Sequence, residues 1–253
     1  MKRWVLRGLI VLVVLVIAGV LAALYFLGAI VKRGVETAGP NITKTTVKLD
    51  GATLSILSGN GELKGFLVGN PEGFNTPSAV RVGSVAIGVQ PGSVFSDKVV
   101  VRSVKVLGPE ITFEGTLTGN NLNKILANIR GTEEKDKQAT SKQGQSSSKK
   151  MQVDDFLITG GKINLSTSLL GGQSTTLALP EIHLTNLGQG SDGITAAELA
   201  ERVFKAIVDE TVKQVTEGSV GKNISDFTKK LPGSATQQLD KATGGLKDLL
   251  KKK

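Results

Sequence analysis

Between Gly8 and Val31 the chain runs GLIVLVVLVIAGVLAALYFLGAIV without a single charge, and this stretch limits what the rest can be. As a helix, about 24 residues at ~1.5 Å each span roughly 36 Å, enough to cross a ~30 Å hydrocarbon core with some tilt. Arg7 bounds the run on one side, Lys32 and Arg33 on the other. A cleaved signal peptide would carry an apolar region of only about 7–15 residues, closed by small residues. Here Leu24, Tyr25, Phe26 and Leu27 still stand near the end. The run predicts a retained, single-pass transmembrane helix. Lys2, Arg3 and Arg7 then put residues 1–7 in the cytoplasm by the positive-inside tendency, with everything after a tether (32–41) exported.

The exported part is rich in glycine (31 in the whole chain) and in Val, Leu and Ile, while aromatics make up only 4%. Branched residues suit a pleated surface and glycine suits its turns, so this mixture predicts β-structure. The chain has no cysteine, which excludes disulfides and thiol chemistry. Its formal charge of +9 is dispersed or terminal, not clustered among aromatics, and no nucleic-acid-binding module is recognisable. The charge fits solubility and attraction to phospholipid headgroups instead.

Period-two alternation predicts strands at Ile42–Leu49, Ala52–Leu57 and Glu62–Val68, with Asn60-Gly61 as a hairpin turn. Further strands follow at Val80–Gln90, Lys98–Leu107 and Glu110–Leu117. Lys98–Leu107 (KVVVRSVKVL) reads as apolar on both faces, relieved only by Arg102 and Lys105. Leu122, Ile125, Leu126 and Ile129 mark one face of a short helix, capped by Asn120 or Asn121. Residues 131–150 have no apolar periodicity and predict a disordered insertion. Strands resume at Val153–Thr159, Lys162–Leu169, Thr175–Leu179 and Glu181–Asn186, with Gly160-Gly161 and Gly171-Gly172 at two connections. Thr195-Ala196-Ala197-Glu198 is a capping box that opens an amphipathic helix, and a basic tail runs from Ile224 to Lys253. The expected domains are therefore a β-rich unit (42–190) and a helical C-terminal region (191–253).

Residues that carry chemistry are sparse. His183, the only histidine, sits in a strand pattern, and Asp154-Asp155 would point to opposite faces of a sheet. No nucleophile elbow, Walker loop or dinucleotide fingerprint is present. The expectation is a protein that is not an enzyme and takes no cofactor or metal.

From Leu63 to Ile129 the order of elements is a glycine-punctuated meander, the strand Val80–Gln90, the link Pro91-Gly92-Ser93-Val94-Phe95 and a Val-rich strand. Gly108-Pro109-Glu110-Ile111 and a helix opened by Gly119-Asn120-Asn121-Leu122 follow, and strands restart at Val153–Leu165. This order, behind an N-terminal anchor, resembles the AsmA family of bacterial envelope proteins. The resemblance implies a bacterial inner-membrane protein with its bulk in the periplasm and a long, curved β-sheet; larger members of the family, from which this chain departs in length, form an apolar groove linked to phospholipid transport and outer-membrane homeostasis. It supplies no ligand-binding residues one by one.

The expected fold is mainly β (α+β): a transmembrane helix, a curved antiparallel sheet, one short internal helix and C-terminal amphipathic helices. The candidate lipid-facing residues are Leu63, Leu67, Val99, Val101, Val104, Val106, Ile111 and Phe113, and membrane phospholipid is the expected partner. The competing expectation is a scaffold that presents sheet edges or C-terminal helices to envelope proteins.

Overall fold

Strand-forming residues pair here across one large sheet. The structure, a computed structural model, describes residues 2–55, 57–116, 119–142, 149–166 and 174–217. A long helix, α1 (Lys2–Thr43), leads into β1 (Val47–Lys48), β2 (Gly51–Leu54), β3 (Asn60–Val68) and β4 (Val80–Val89). A 3₁₀ turn (Pro91–Phe95) connects to β5 (Lys98–Leu107) and β6 (Glu110–Glu114), followed by α2 (Asn121–Lys142). The chain continues through β7 (Lys150–Thr159), β8 (Lys162–Ser166), β9 (Ser174–Ala178), β10 (Ile182–Leu187) and α3 (Ala196–Glu217).

All ten strands belong to one sheet. β3 joins β4, β4 joins both β5 and β6, and these join β7 and β8 in turn. β10 and β9 close the far side, while β1 and β2 share the near edge of β3. Consecutive short strands are thus halves of long, interrupted ones: β1 with β2, β5 with β6, β7 with β8, and β9 with β10.

The interruptions line up into a crease. It crosses the sheet at Asp50, Gly65, Gly83, Gly108-Pro109, Gly160-Gly161 and Leu179-Pro180. Gly65, Gly108 and Gly160 hold φ of 63°, 57° and 67°, a left-handed region that costs other residues roughly 1–2 kcal/mol. Hydrogen bonding is kept across the fold line by Gly108 N–H to Thr159 O (2.9 Å), Lys162 N–H to Pro109 O (2.8 Å) and Leu179 N–H to Gly161 O (2.9 Å). The ladder skips Gly65 and Gly83 at the bend and resumes in the same register beyond it.

A second irregularity lies farther along. The β4–β5 register shifts between Gly88 and Val89, so that Gly88 faces Ser103 and Val89 faces Val101, leaving Arg102 as the extra residue. In β10, Asn186 adopts φ 58° at the same level, between Thr185↔Asp155 and Leu187↔Val153. The β5 bulge and the left-handed turn at Asn186 both reverse side-chain parity, although the β10–β7 register itself does not shift.

One face is apolar and lies under helices. Beyond the crease, α2 sets Leu122, Ile125, Leu126 and Ile129 over Ile111 and Phe113 of β6, and Ile163 and Leu165 of β8 join the same buried core. α3 packs on α2, β9 and β10 through Phe204, Ile207, Val208 and Val215. The opposite face carries Lys48, Arg81, Glu110 and Lys162 in one cross-strand row and is polar.

The structure corrects several expectations. The sheet is mixed, not antiparallel, because β5 runs parallel to β7 and β6 to β8. The physical reason is α2: a helix of that length carries the chain back across the sheet, so the next strand starts at the same end. The fold is mixed α/β. The internal helix is long, continuing to Lys142 through residues read as a loop.

The transmembrane and single-pass expectation is also corrected, and with it the inner-membrane localisation. Among the described residues no helix is long and apolar enough to cross a membrane. The C-terminal turns of the apolar run are committed elsewhere. α1 continues unbroken past Val31 through the expected tether to Thr43, and its second half docks on β1 and β2. A Cβ at Gly28 would run into the Ala52 carbonyl, and one at Gly39 would run into Val47. Lys32 Nζ donates to Asp50 O (3.3 Å), and Glu36 Oε1 accepts from Leu49 N–H (3.2 Å), so the helix satisfies the sheet's near edge.

Asn60-Gly61 is in β3 and not in its turn. Gly59, with φ 73°, takes the bend, and Asn60 already pairs with Gly88. Gly171-Gly172, the end of the strand expected to reach Leu169, and the Ile224–Lys253 tail lie outside the described residues.

Gly108→Ala and Gly160→Ala should each lower unfolding free energy by about 1–2 kcal/mol in urea titrations. Gly83→Ala, at a crease position without positive φ and with open space around it, should cost measurably less.

Candidate functional site

The inner face on the near side of the crease has a different cover from the far side. Its rows run Leu63–Val85–Val106–Ile158–Ile182, then Gly61–Ile87–Val104–Phe156–Leu184, then Val89–Val101–Val153–Leu187. Val85, Val101, Val106, Val153, Phe156 and Ile158 are buried. Leu63, Ile87, Val89, Val99 and Val104 are only half-buried, though packed against the same core. These five form a contiguous apolar strip on β3, β4 and β5. α1 stands at one border, against β1 and β2, and α3 at the other, against β9 and β10. Leu199, Val203, Ala206 and Val212 of α3 are likewise half-buried against the core.

The bulge at Arg102 explains why β5 reads as apolar on both faces. Strict alternation would separate Val99 and Val101 from Val104 and Val106. One extra residue reverses parity between the pairs, so all four valines face inward. Arg102 is turned outward, where its guanidinium donates to Ser58 O and Val89 O, both at 3.1 Å.

The eight candidate residues divide into three groups. Leu63, Val99 and Val104 lie on the half-open strip, with Val101 and Val106 buried beside it. Ile111 and Phe113 are fully buried beneath α2. Leu67 pairs with Arg81 on the opposite, polar face, because the crease at Gly65 reverses parity between it and Leu63. Ile87 and Val89 belong to the strip and were not singled out. Their alternation with Ala86 and Gly88 was legible, but nothing local marks a residue as partly covered.

Beyond α2's buried face, a polar clamp closes the far end of the interior. Asn121, fully buried, donates through Nδ2 to Thr112 O and Asn70 Oδ1, both at 2.8 Å, and its Oδ1 accepts from Glu114 N–H (3.0 Å). Asn120 caps α2, accepting from Asn123 N–H at 2.8 Å. Glu114 in turn accepts from Asn75 N–H (2.7 Å), Thr76 N–H (2.8 Å) and the Thr76 hydroxyl (2.6 Å). Partial burial alone would raise its pKa, but these donors outweigh it and hold the carboxyl below its ordinary value.

A shallow polar depression of about 400 Å³ lies where β10 meets α3, lined by the loop Asn186–Ile194 with Glu198 and Arg202. Thr195 and Glu198 exchange the two capping-box hydrogen bonds there, at 3.0 and 3.1 Å. On the outer face, His183 Nε2 lies 2.6 Å from Asp155 Oδ1, with both side chains open to solvent. Among the described residues no group of His, Asp and Glu is arranged to hold a metal ion.

No family model and no curated protein match the chain. The AsmA resemblance therefore rests on the order of its elements.

Glu114→Gln should cost about 1–3 kcal/mol at neutral pH, since it weakens charge-assisted bonds to the 70–76 loop. Because the folded pKa is lowered, the wild-type advantage is full above the ordinary carboxylate range. It should shrink as pH falls through the depressed folded value. Thermal melts of both proteins across that range check the sign.

Proposed function

We propose that the chain is a non-enzymatic lipid-handling protein that holds acyl chains on the inner face of its sheet. The observation that carries this reading is the strip Leu63, Ile87, Val89, Val99 and Val104, apolar and contiguous but incompletely covered. No charged side chain lies in its cross-strand rows, so a ligand seated there meets hydrocarbon alone. Each methylene that leaves water adds about 0.8 kcal/mol, which rewards a long chain over a short polar ligand. The resemblance to the AsmA family points to the same ligand class.

A second reading, a scaffold for partner proteins, draws on the far edge of the sheet. Among the described residues, β10 pairs only with β7, and β9 only with β8. Those unpaired edges could accept another strand.

The full chain should take up a fluorescent fatty acid and carry phospholipid through purification. Ile87→Trp and Val99→Trp, which fill half-open positions, should weaken uptake several-fold while leaving the thermal midpoint nearly unchanged. Absence of uptake in the wild type would overturn the lipid reading. Cross-linking to one defined protein, independent of lipid, would then favour the scaffold.

A further inference from the structure

Two apolar side chains stand almost wholly in solvent at one end of the sheet: Leu57 is 96% exposed and Phe95 90%. Leu57 is in the β2–β3 turn and Phe95 closes the 3₁₀ turn after β4, with Val94 beside it, also exposed. The two turns are fastened together. Val89 N–H donates to Gly59 O (2.7 Å), and Arg102 bridges Ser58 O and Val89 O. Such side chains on adjoining turns form a protruding tip, not a groove that would seat a helix or strand.

Cations surround this tip and are held by neutral acceptors. Lys149 Nζ donates to Val94 O, and Lys98 Nζ donates to Gln152 Oε1 (2.8 Å) and Gly190 O (2.6 Å). With Arg102 and Lys150 these outnumber Asp97 in the same turn and Asp192 in the loop that Lys98 reaches.

The direction of α1 adds an independent observation. Between its contacts at Gly39 and Gly28 the helix rises about 16 Å, and Val47 to Ala52 of the strands also cover about 16 Å. The helix therefore runs alongside β1–β2, and its earlier residues pass out beyond the end that carries Leu57. There Leu9 through Leu15 are consecutively exposed, around the whole circumference of the helix. Apolar surface is thus exposed on α1 as well as on the two turns.

We propose that this end of the molecule docks onto an anionic phospholipid surface, with Leu57, Val94 and Phe95 entering the acyl boundary and Lys98, Arg102 and Lys149 meeting headgroup phosphates. Contact with one lipid face suffices; no crossing is involved. The docking tip is separate from the half-open apolar strip, although Val89 and Val99 bring one end of that strip to the same end of the sheet.

The test uses the full chain in a Trp4→Phe background, since Trp4 is the only tryptophan. With Phe95→Trp added, mixing with phosphatidylcholine–phosphatidylglycerol vesicles should shift the emission to the blue, and brominated acyl chains should quench it. Leu57→Asp with Phe95→Asp, at positions too exposed to disturb folding, should weaken vesicle co-sedimentation at least about tenfold. Lys149→Glu should weaken it only on vesicles that contain phosphatidylglycerol. Emission unchanged by vesicles would overturn the proposal. So would self-association without lipid that the double variant abolishes, which would assign the tip to a second copy. Fatty-acid uptake by the double variant should remain, so loss of docking and loss of uptake by the strip are separable.

Discussion

Bending a wide sheet without breaking its hydrogen bonds is the constraint on which the other features depend. A ladder tolerates a sharp bend only where the backbone can leave the extended region, and here those places fall in register on adjoining strands. Gly65 and Gly108 take positive φ, and Gly160 lies directly beside Gly108. Cross-strand bonds such as Lys162 N–H to Pro109 O continue through the fold line. A crease on a single strand would have broken that strand's pairing, whereas a crease shared by every strand turns the sheet as a unit. The inner face is thereby divided into a far half that α2 can cover and a near half that it covers less completely.

The sheet's near edge imposes the next requirement. β1 and β2 are too short to hide their outer backbone groups, and an exposed edge invites unwanted pairing. α1 meets this need with two side chains of opposite charge, one turn apart: Lys32 on the Asp50 carbonyl and Glu36 on the Leu49 amide. Small residues let the helix approach, with Gly28 against Ala52 and Gly39 against Val47. The same helix thus carries an exposed apolar stretch at one end and a structural cap at the other. Its apolar composition gave no sign of where the first role stops.

Strand positions were legible wherever alternation was strong. Val80–Gln90 and Lys98–Leu107 match β4 and β5 almost residue for residue, and Thr195 opens α3 through the capping box read from its spacing. The faces of those strands were less legible. Period-two reading assumes constant parity, and the bulge at Arg102 and the crease at Gly65 each break it. That is why β5 reads as two-faced and why Leu67 was grouped with Leu63. Strand direction escaped for another reason: it depends on α2, whose second half lacks the apolar periodicity that marks a packed helix. The beginning of α2 announced itself through Ile125 and Ile129, and its continuation from Gly131 did not.

Partial burial is the property that distinguishes a trough from a core, and it belongs to no single residue. Ile111 and Val104 are both branched, inward-facing and flanked by polar neighbours, so their local sequence is equivalent. They differ because α2 lies over β6, whereas α3 lies to the side of β5, over β9 and β10. Covering the whole near half would need a helix directly above β4, and the β3–β4 connection (69–79) is instead held at the far end by Glu114 and Asn121. The half-open strip is therefore a consequence of topology. The chain spends its one long crossover on α2, beyond the crease, and the apolar surface on the near side is left for whatever apolar matter can reach it.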